Sequence, residues 1–264
     1  MCVPDMSECA RLASYLVAAL LICPGPSRAE EADQPPEKTL DGYLGAGAMY
    51  MPRYDGSAGN ETKPVPLAMI EYKETAYIHL DRVGVRLWNF RDKTMALGIA
   101  AQPRFGFHAS DGERLTGMAT RRDAIEGGAA FEWQLPQWAL SAAYFTDWSR
   151  TSGGQSFDLA VDRDLLERGP WDISAYVDFN YADAKITRYY FGVRADEATP
   201  TRPYYQPGAA VTSSVGLTGA YLLNKKYALL FGGELSALGA AAADSPIVQR
   251  RNGLMAYLGL GLVF

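Results

Sequence analysis

The sequence predicts an all-β protein, a transmembrane antiparallel up-and-down β-barrel of about twelve strands. Three observations carry that expectation. The last thirteen residues, 252–264, alternate with a period of two, so that Leu254, Ala256, Leu258, Leu260, Leu262 and Phe264 share one face. In water such a strand would recruit any free partner edge; in lipid it is satisfied once it pairs with the first strand and closes a barrel. The same alternation recurs along the chain between Gly-, Pro- and Asn-containing turns. The connections between these stretches also alternate, short at one end and mostly long at the other, as periplasmic turns and external loops do.

Taken in order, the chain opens with an export signal over residues 1–29. Arg11 precedes an apolar run from Leu12 to Cys23, and the breakers Pro24, Gly25 and Pro26 lead to small residues Ser27 and Ala29 at a cleavage site. Cleavage there removes Cys2, Cys9 and Cys23, which leaves no cysteine for disulfides or thiolate metal sites. Residues 30–39, with Pro35-Pro36, read as a periplasmic lead-in, and 40–264 as the barrel.

Strands are expected at 40–50, 65–73, 75–81, 83–90, 94–108, 121–135, 138–149, 155–167, 171–182, 209–223, 227–239 and 252–264. In the first, Leu44, Ala46, Ala48 and Tyr50 oppose Gly45 and Gly47. A polar segment, 55–63, follows it. Splitting 76–90 into two strands keeps the alternation of loops, and with an even count both termini lie on the periplasmic side. Pro103 marks a bulge or the part of its strand above the membrane. Trp138 to Trp148 and Trp171 to Tyr181 are spaced as two aromatic girdles would be: ten residues cover roughly 33 Å, or roughly 25 Å at the tilt of barrel strands.

Composition excludes other classes. A mean hydropathy of -0.13 with no long apolar run rules out a helical membrane protein, and a formal charge of -5 argues against nucleic-acid binding. The polar strand faces nominate Arg86, Arg104, Glu126, Glu132, Asp158, Asp162, Asp172, Asp178 and Glu234 as lumen residues, with acids in excess. They either pair across a filled interior or line a narrow path for small cationic or zwitterionic solutes.

Chemistry is sparse. His79 and His108 are the two histidines, too few for a histidine metal site. His108 with Ser110 and Asp111 invites a lipid-modifying hydrolase, yet residues two apart on a strand stand roughly 6.5 Å apart, too far for base and nucleophile. Asp162-Arg163-Asp164 has too few ligand positions for calcium, and Asn60-Glu61-Thr62 matches a glycosylation triplet by chance. No enzyme and no cofactor are expected. In 183–208, Tyr189, Tyr190, Phe191, Tyr204 and Tyr205 suit contact with a partner or lipopolysaccharide, or packing over the barrel mouth.

Four segments carry a family resemblance: Tyr43-Leu44-Gly45-Ala46-Gly47, Pro52-Arg53-Tyr54-Asp55-Gly56-Ser57, Arg202-Pro203-Tyr204-Tyr205 and Ala243-Asp244-Ser245-Pro246-Ile247-Val248. Together, over 40–264, they resemble the MipA/OmpV family of outer-membrane proteins. The resemblance implies a Gram-negative outer-membrane barrel without enzymatic activity, an adaptor between a murein transglycosylase and a penicillin-binding protein. It transfers no catalytic or partner-binding residue. Leu258, Leu260, Leu262 and Phe264 resemble the terminal signal read by the barrel-insertion machinery, with Leu262 where an aromatic is common.

Overall fold

The computed structural model describes residues 40–91 and 93–264; the expected export signal and lead-in, 1–39, lie outside them. Twelve strands are present among the described residues: β1 (Leu40–Pro52), β2 (Asn60–Tyr72), β3 (Ala76–His79), β4 (Arg82–Phe90), β5 (Met95–Arg104), β6 (Ala124–Leu135), β7 (Trp138–Asp147), β8 (Gln155–Arg168), β9 (Trp171–Ala182), β10 (Ala210–Leu222), β11 (Tyr227–Ala237) and β12 (Asn252–Val263). Each pairs antiparallel with its chain neighbours, and β12 closes on β1. Alternation decides what each strand shows to either side. On β12, Leu254, Leu258, Leu260 and Leu262 are exposed on the outer face while Tyr257 is buried inside.

Closure depends on small residues. Gly45 faces Gly261 and Gly47 faces Gly259 across the seam, and a Cβ on Gly45 would stand 1.9 Å from the Leu260 carbonyl oxygen. Leu67 and Leu230, both fully buried, occupy the space these glycines leave. With Ala220, Ala228 and Tyr257 they make an apolar half of the barrel interior.

The turn side is tight. Lys73 and Glu74 both take positive φ (48° and 52°), because two-residue hairpins match strand twist in that region of backbone space; Arg91 and Lys93 in the next turn are also at positive φ (50° and 66°). On the other side lie the long connections, which contain α1 (Ala184–Phe191), α2 (Ala240–Ala243) and three short 3-10 turns. Asp183 starts α1 by accepting from the Lys185 and Ile186 N–H groups, each at 2.9 Å.

Boundaries differ from expectation in informative places. β2 begins at Asn60, inside the segment expected to be a polar loop. β3 is four residues long instead of spanning 75–81. β5 ends at Arg104, not 108, and β6 starts at Ala124, not 121, although Phe107 and Arg121 still exchange two backbone bonds of 2.9 Å. β7 ends at Asp147, so Trp148 lies just beyond it.

Shortening β3 alters the wall. Its hairpin with β4 pairs with β2 only over 69–72 and with β5 only up to Ala101. Residues 60–67 of β2 and 102–104 of β5 therefore face each other with no strand between them.

Candidate functional site

The long connections fold together over the barrel mouth. Tyr54, Phe107, Leu115, Met118, Val193 and Ile247 come from four different connections and form one buried cluster. Tyr54 donates its hydroxyl to the Ile247 carbonyl at 3.0 Å, and the Gly56 carbonyl accepts from Gln249 and Arg250 at 2.7 and 3.0 Å. Gly56 has φ +90°, and a Cβ there would meet Val248. Ser245 donates to the Phe191 carbonyl at 2.5 Å, and Tyr205 to the Ala241 carbonyl at 3.0 Å.

Against this cluster, with the Arg121 guanidinium 5.6 Å from the Phe107 ring, sits a buried ion pair. Arg121 is 1% exposed and reaches Glu197 through two bonds, of 2.8 and 2.7 Å. It also donates to the Tyr189, Ala119 and Gly192 carbonyls, so the guanidinium is satisfied within protein. Burial by itself would raise the Glu197 pKa; hydrogen bonds from Arg121 and from the Arg194 and Ala119 N–H groups override it and hold the carboxyl at about 2. Arg202, likewise buried, donates to the Arg114, Thr116 and Glu197 carbonyls at 2.7, 2.9 and 2.7 Å. Three of the four segments that carry the family resemblance thus converge on this cap; the fourth supplies the glycines of the seam.

The aromatic loop residues take the folded-over arrangement. Tyr190 is buried and meets Tyr189 edge-on at 4.9 Å, whereas Tyr204 is exposed. His108 is 72% exposed at its side chain, with Nδ1 3.8 Å from Asp111; Asp111 instead accepts from the His108 backbone N–H at 2.6 Å.

Below the cap the interior is divided. Opposite the apolar half lies a charged half. Arg104 donates to Glu126 at 2.6 and 3.0 Å, and Ser156 adds a bond of 3.1 Å to the same carboxylate. Arg82 spans Gln102 and Asp158, each at 2.6 Å, while Asn180 donates to the other Asp158 oxygen. Arg86 joins Glu71 and Glu132 at 2.6 and 2.7 Å, and His79 meets Glu71 at 2.9 Å. Glu234 accepts from Tyr176 at 2.8 Å. Asp172 and Asp178 share the inward side of β9 with Tyr176, with Asp172 exposed and Asp178 half-buried. Glu71, Arg82 and Gln102 join the charged half in addition to the lumen residues expected from the strand faces. Glu71 was detectable, being in phase with the inward Leu67 and Met69; Arg82 was hidden by its position at a turn.

On the outer surface Trp171 packs tilted against Tyr221, with ring centroids 4.5 Å apart, and approaches Phe231 edge-on at 6.4 Å, and Tyr181 is exposed at the other end of β9. Trp138 lies under the Arg163 guanidinium at 4.8 Å. Trp148 covers Gly127, where a Cβ would meet the indole at 2.4 Å.

A closed antiparallel barrel with an apolar outer surface, short turns at one end and a loop cap at the other defines an outer-membrane β-barrel protein. The chain belongs to the family described as MltA-interacting protein MipA, whose profile matches residues 44–264. It is 28% identical over 88 residues to outer membrane protein Omp26La of Vibrio anguillarum, covering 33% of this chain and 34% of that one. Outer membrane protein OmpV of Vibrio cholerae serotype O1 matches with the same identity and the same shares. The chain spans about a third of the length of the curated relatives it matches. Similar solved structures include Pseudomonas putida OprB at high pH, with TM-score 0.39, 10% identity and coverage of 69% of this chain and 47% of that one. An active-site mutant of outer membrane phospholipase A from Escherichia coli gives TM-score 0.34 and 12% identity, covering 88% and 94%.

Proposed function

We propose that this barrel is a non-catalytic scaffold that holds a murein transglycosylase and a penicillin-binding protein at its periplasmic rim. The observation that carries this reading is the family match over 44–264, to a family described by an interaction and not by a reaction. The rim supports it. Lys73, Arg91, Lys93, Arg168, Lys225 and Lys226 sit at or beside the short turns, basic side chains that an acidic partner surface can meet. The same reading assigns 1–29 to export, 30–39 to a periplasmic lead-in, and the strand ending at Phe264 to recognition by the insertion machinery. Pull-down of the cross-linked protein from envelopes should recover both enzyme classes, with recovery falling about fivefold for Lys225→Glu with Lys226→Glu, roughly 1 kcal/mol of binding. Recovery of neither class overturns the reading.

One observation favours a narrow solute channel as the second reading. The inward faces of β8 to β11 carry Asp158, Asp162, Asp164, Asp172, Asp178 and Glu234 and no basic residue. Planar-bilayer recording separates the two. A scaffold with a capped mouth gives no steady unitary steps; stable cation-selective steps from folded protein would establish the channel.

A further inference from the structure

The opening in the wall above the β3–β4 hairpin has the attributes of a built window. Its sill is Leu80-Asp81, its sides are 60–67 of β2 and 102–104 of β5, and its top is crossed where Tyr54 meets Phe107, with ring centroids 5.9 Å apart. Two absent strands correspond to three strand spacings, about 14 Å between the backbones of β2 and β5. Residues 60–67 and 102–104 lead upward into the external loops, so the window opens onto the outer leaflet.

A free strand edge in lipid is costly because its N–H and C=O groups lack partners. Proline removes the donor. The Leu80 N–H donates to the Ala68 carbonyl at 2.7 Å, which shows that even-numbered residues of β2 turn their backbone groups toward β3. Pro64 and Pro66 have that parity, so each lacks an N–H at the window edge. On the other side Ile125, opposite Pro103, sends its carbonyl to Trp148 on the β7 side at 2.9 Å. Pro103 therefore turns its own backbone away from β6, into the window. The three prolines stand where N–H groups would have pointed into lipid, and they leave carbonyl acceptors there.

The cations on the strands that frame the window are already paired with carboxylates. Lys63 pairs with Glu61 at 2.6 Å, Arg82 with Asp158 at 2.6 Å and Arg104 with Glu126 at 2.6 Å. Asp55 and Asp81 are exposed, and neither has a salt bridge among the described residues. Asp81 lies within electrostatic reach of Arg82 and Asp158, and Asp55 of Arg104, which places both at this end of the charged lumen. An entering molecule meets acceptors at the rim and carboxylates behind it.

We propose that this window is a lateral entry site for single-chain amphiphiles with an ammonium head group, the tail remaining in the outer leaflet while the head reaches Asp81 and Asp55. The test uses the full barrel in phosphatidylcholine vesicles, with Cys2, Cys9 and Cys23 replaced by serine and a fluorophore on Val65→Cys, an inward position at the window edge. A spin-labelled primary alkylammonium should quench this probe about fivefold more per mole than the alkyl sulfate of equal length or a chain-labelled phospholipid. Asp81→Asn should reduce that excess about threefold. Inserting four residues between Leu80 and Asp81 lengthens the hairpin to fill the window and should abolish the excess, in protein whose heat-dependent gel shift confirms folding. Pro66→Trp, which obstructs the β2 edge, provides the same readout should the insertion prevent folding. Equal quenching by the three probes, or an excess that survives the filled window, overturns the proposal.

Discussion

Replacing Arg121 with methionine is expected to destabilise the cap by about 3–5 kcal/mol, because Glu197 would be left as an uncompensated buried carboxylate. Glu197 is 4% exposed and accepts from Arg121, Arg194 and Ala119; two of those donors are backbone groups that remain after substitution. The cap should open locally while the barrel persists, since its cluster contains only six fully packed side chains. Proteolysis will report this as new cleavage within 105–123 and 183–209 on a barrel that still shows its gel shift. Replacing both partners with apolar residues should recover most of the loss. Protection by the native pair also has a definite pH sense. The folded carboxyl is held at about 2, below its ordinary 4.5, so its contribution is complete above pH 4.5 and disappears as pH falls toward 2. Pepsin cleavage between pH 5 and pH 2 measures it: the native cap should loosen across that range, whereas Glu197→Gln should be weak and flat throughout.

The barrel was legible because a strand with one face in lipid must alternate, and β6 to β12 do so apart from one register shift in β8 between Asp164 and Leu166. β2 was harder. Its first residues are polar, and Pro64 and Pro66 then break the donor pattern, which in an isolated sequence reads as loop. Only the closed topology reveals that these prolines lie along an edge without a neighbour. The cap was legible only in part: 183–208 could be expected to contact a partner or to pack over the mouth, but nothing in the sequence marked the residues that hold it together. Leu115 and Met118 are single apolar residues in polar surroundings, and Val193 and Ile247 lie in short apolar patches with no strand or helix period to mark them. Arg121 and Glu197 lie 76 positions apart, and nothing local ties them together. The resemblance did point to the right segments, since Arg202, Tyr205, Ser245 and Ile247 all pack or bond within the cap. What it could not convey is that they serve one structure. Inward charges such as Arg86, Arg104 and Glu126 could be picked out by strand phase, but Arg82, on the first residue after a tight turn, had no phase to assign.

Arg82→Leu should produce the largest loss within the lumen, about 3–5 kcal/mol. Its guanidinium is the cationic partner of Asp158, which is 5% exposed and also holds Asn180. It lies 5.3 Å over the Phe145 ring, itself fully buried, so the substitution removes packing as well as charge. Urea unfolding of the barrel in lipid vesicles measures the loss as a shift in midpoint at constant slope. Asp158→Asn should cost less, because the amide still accepts from Arg82, and adding it to Arg82→Leu should restore part of the stability. The cap cleavage pattern should remain native in Arg82→Leu, since Arg82 and Arg121 share no hydrogen-bonding partner. That independence is itself measurable. In the Arg82→Leu/Arg121→Met protein the two losses should add to within about 0.5 kcal/mol; a coupling above about 1 kcal/mol would mean that cap and lumen open as one cooperative unit.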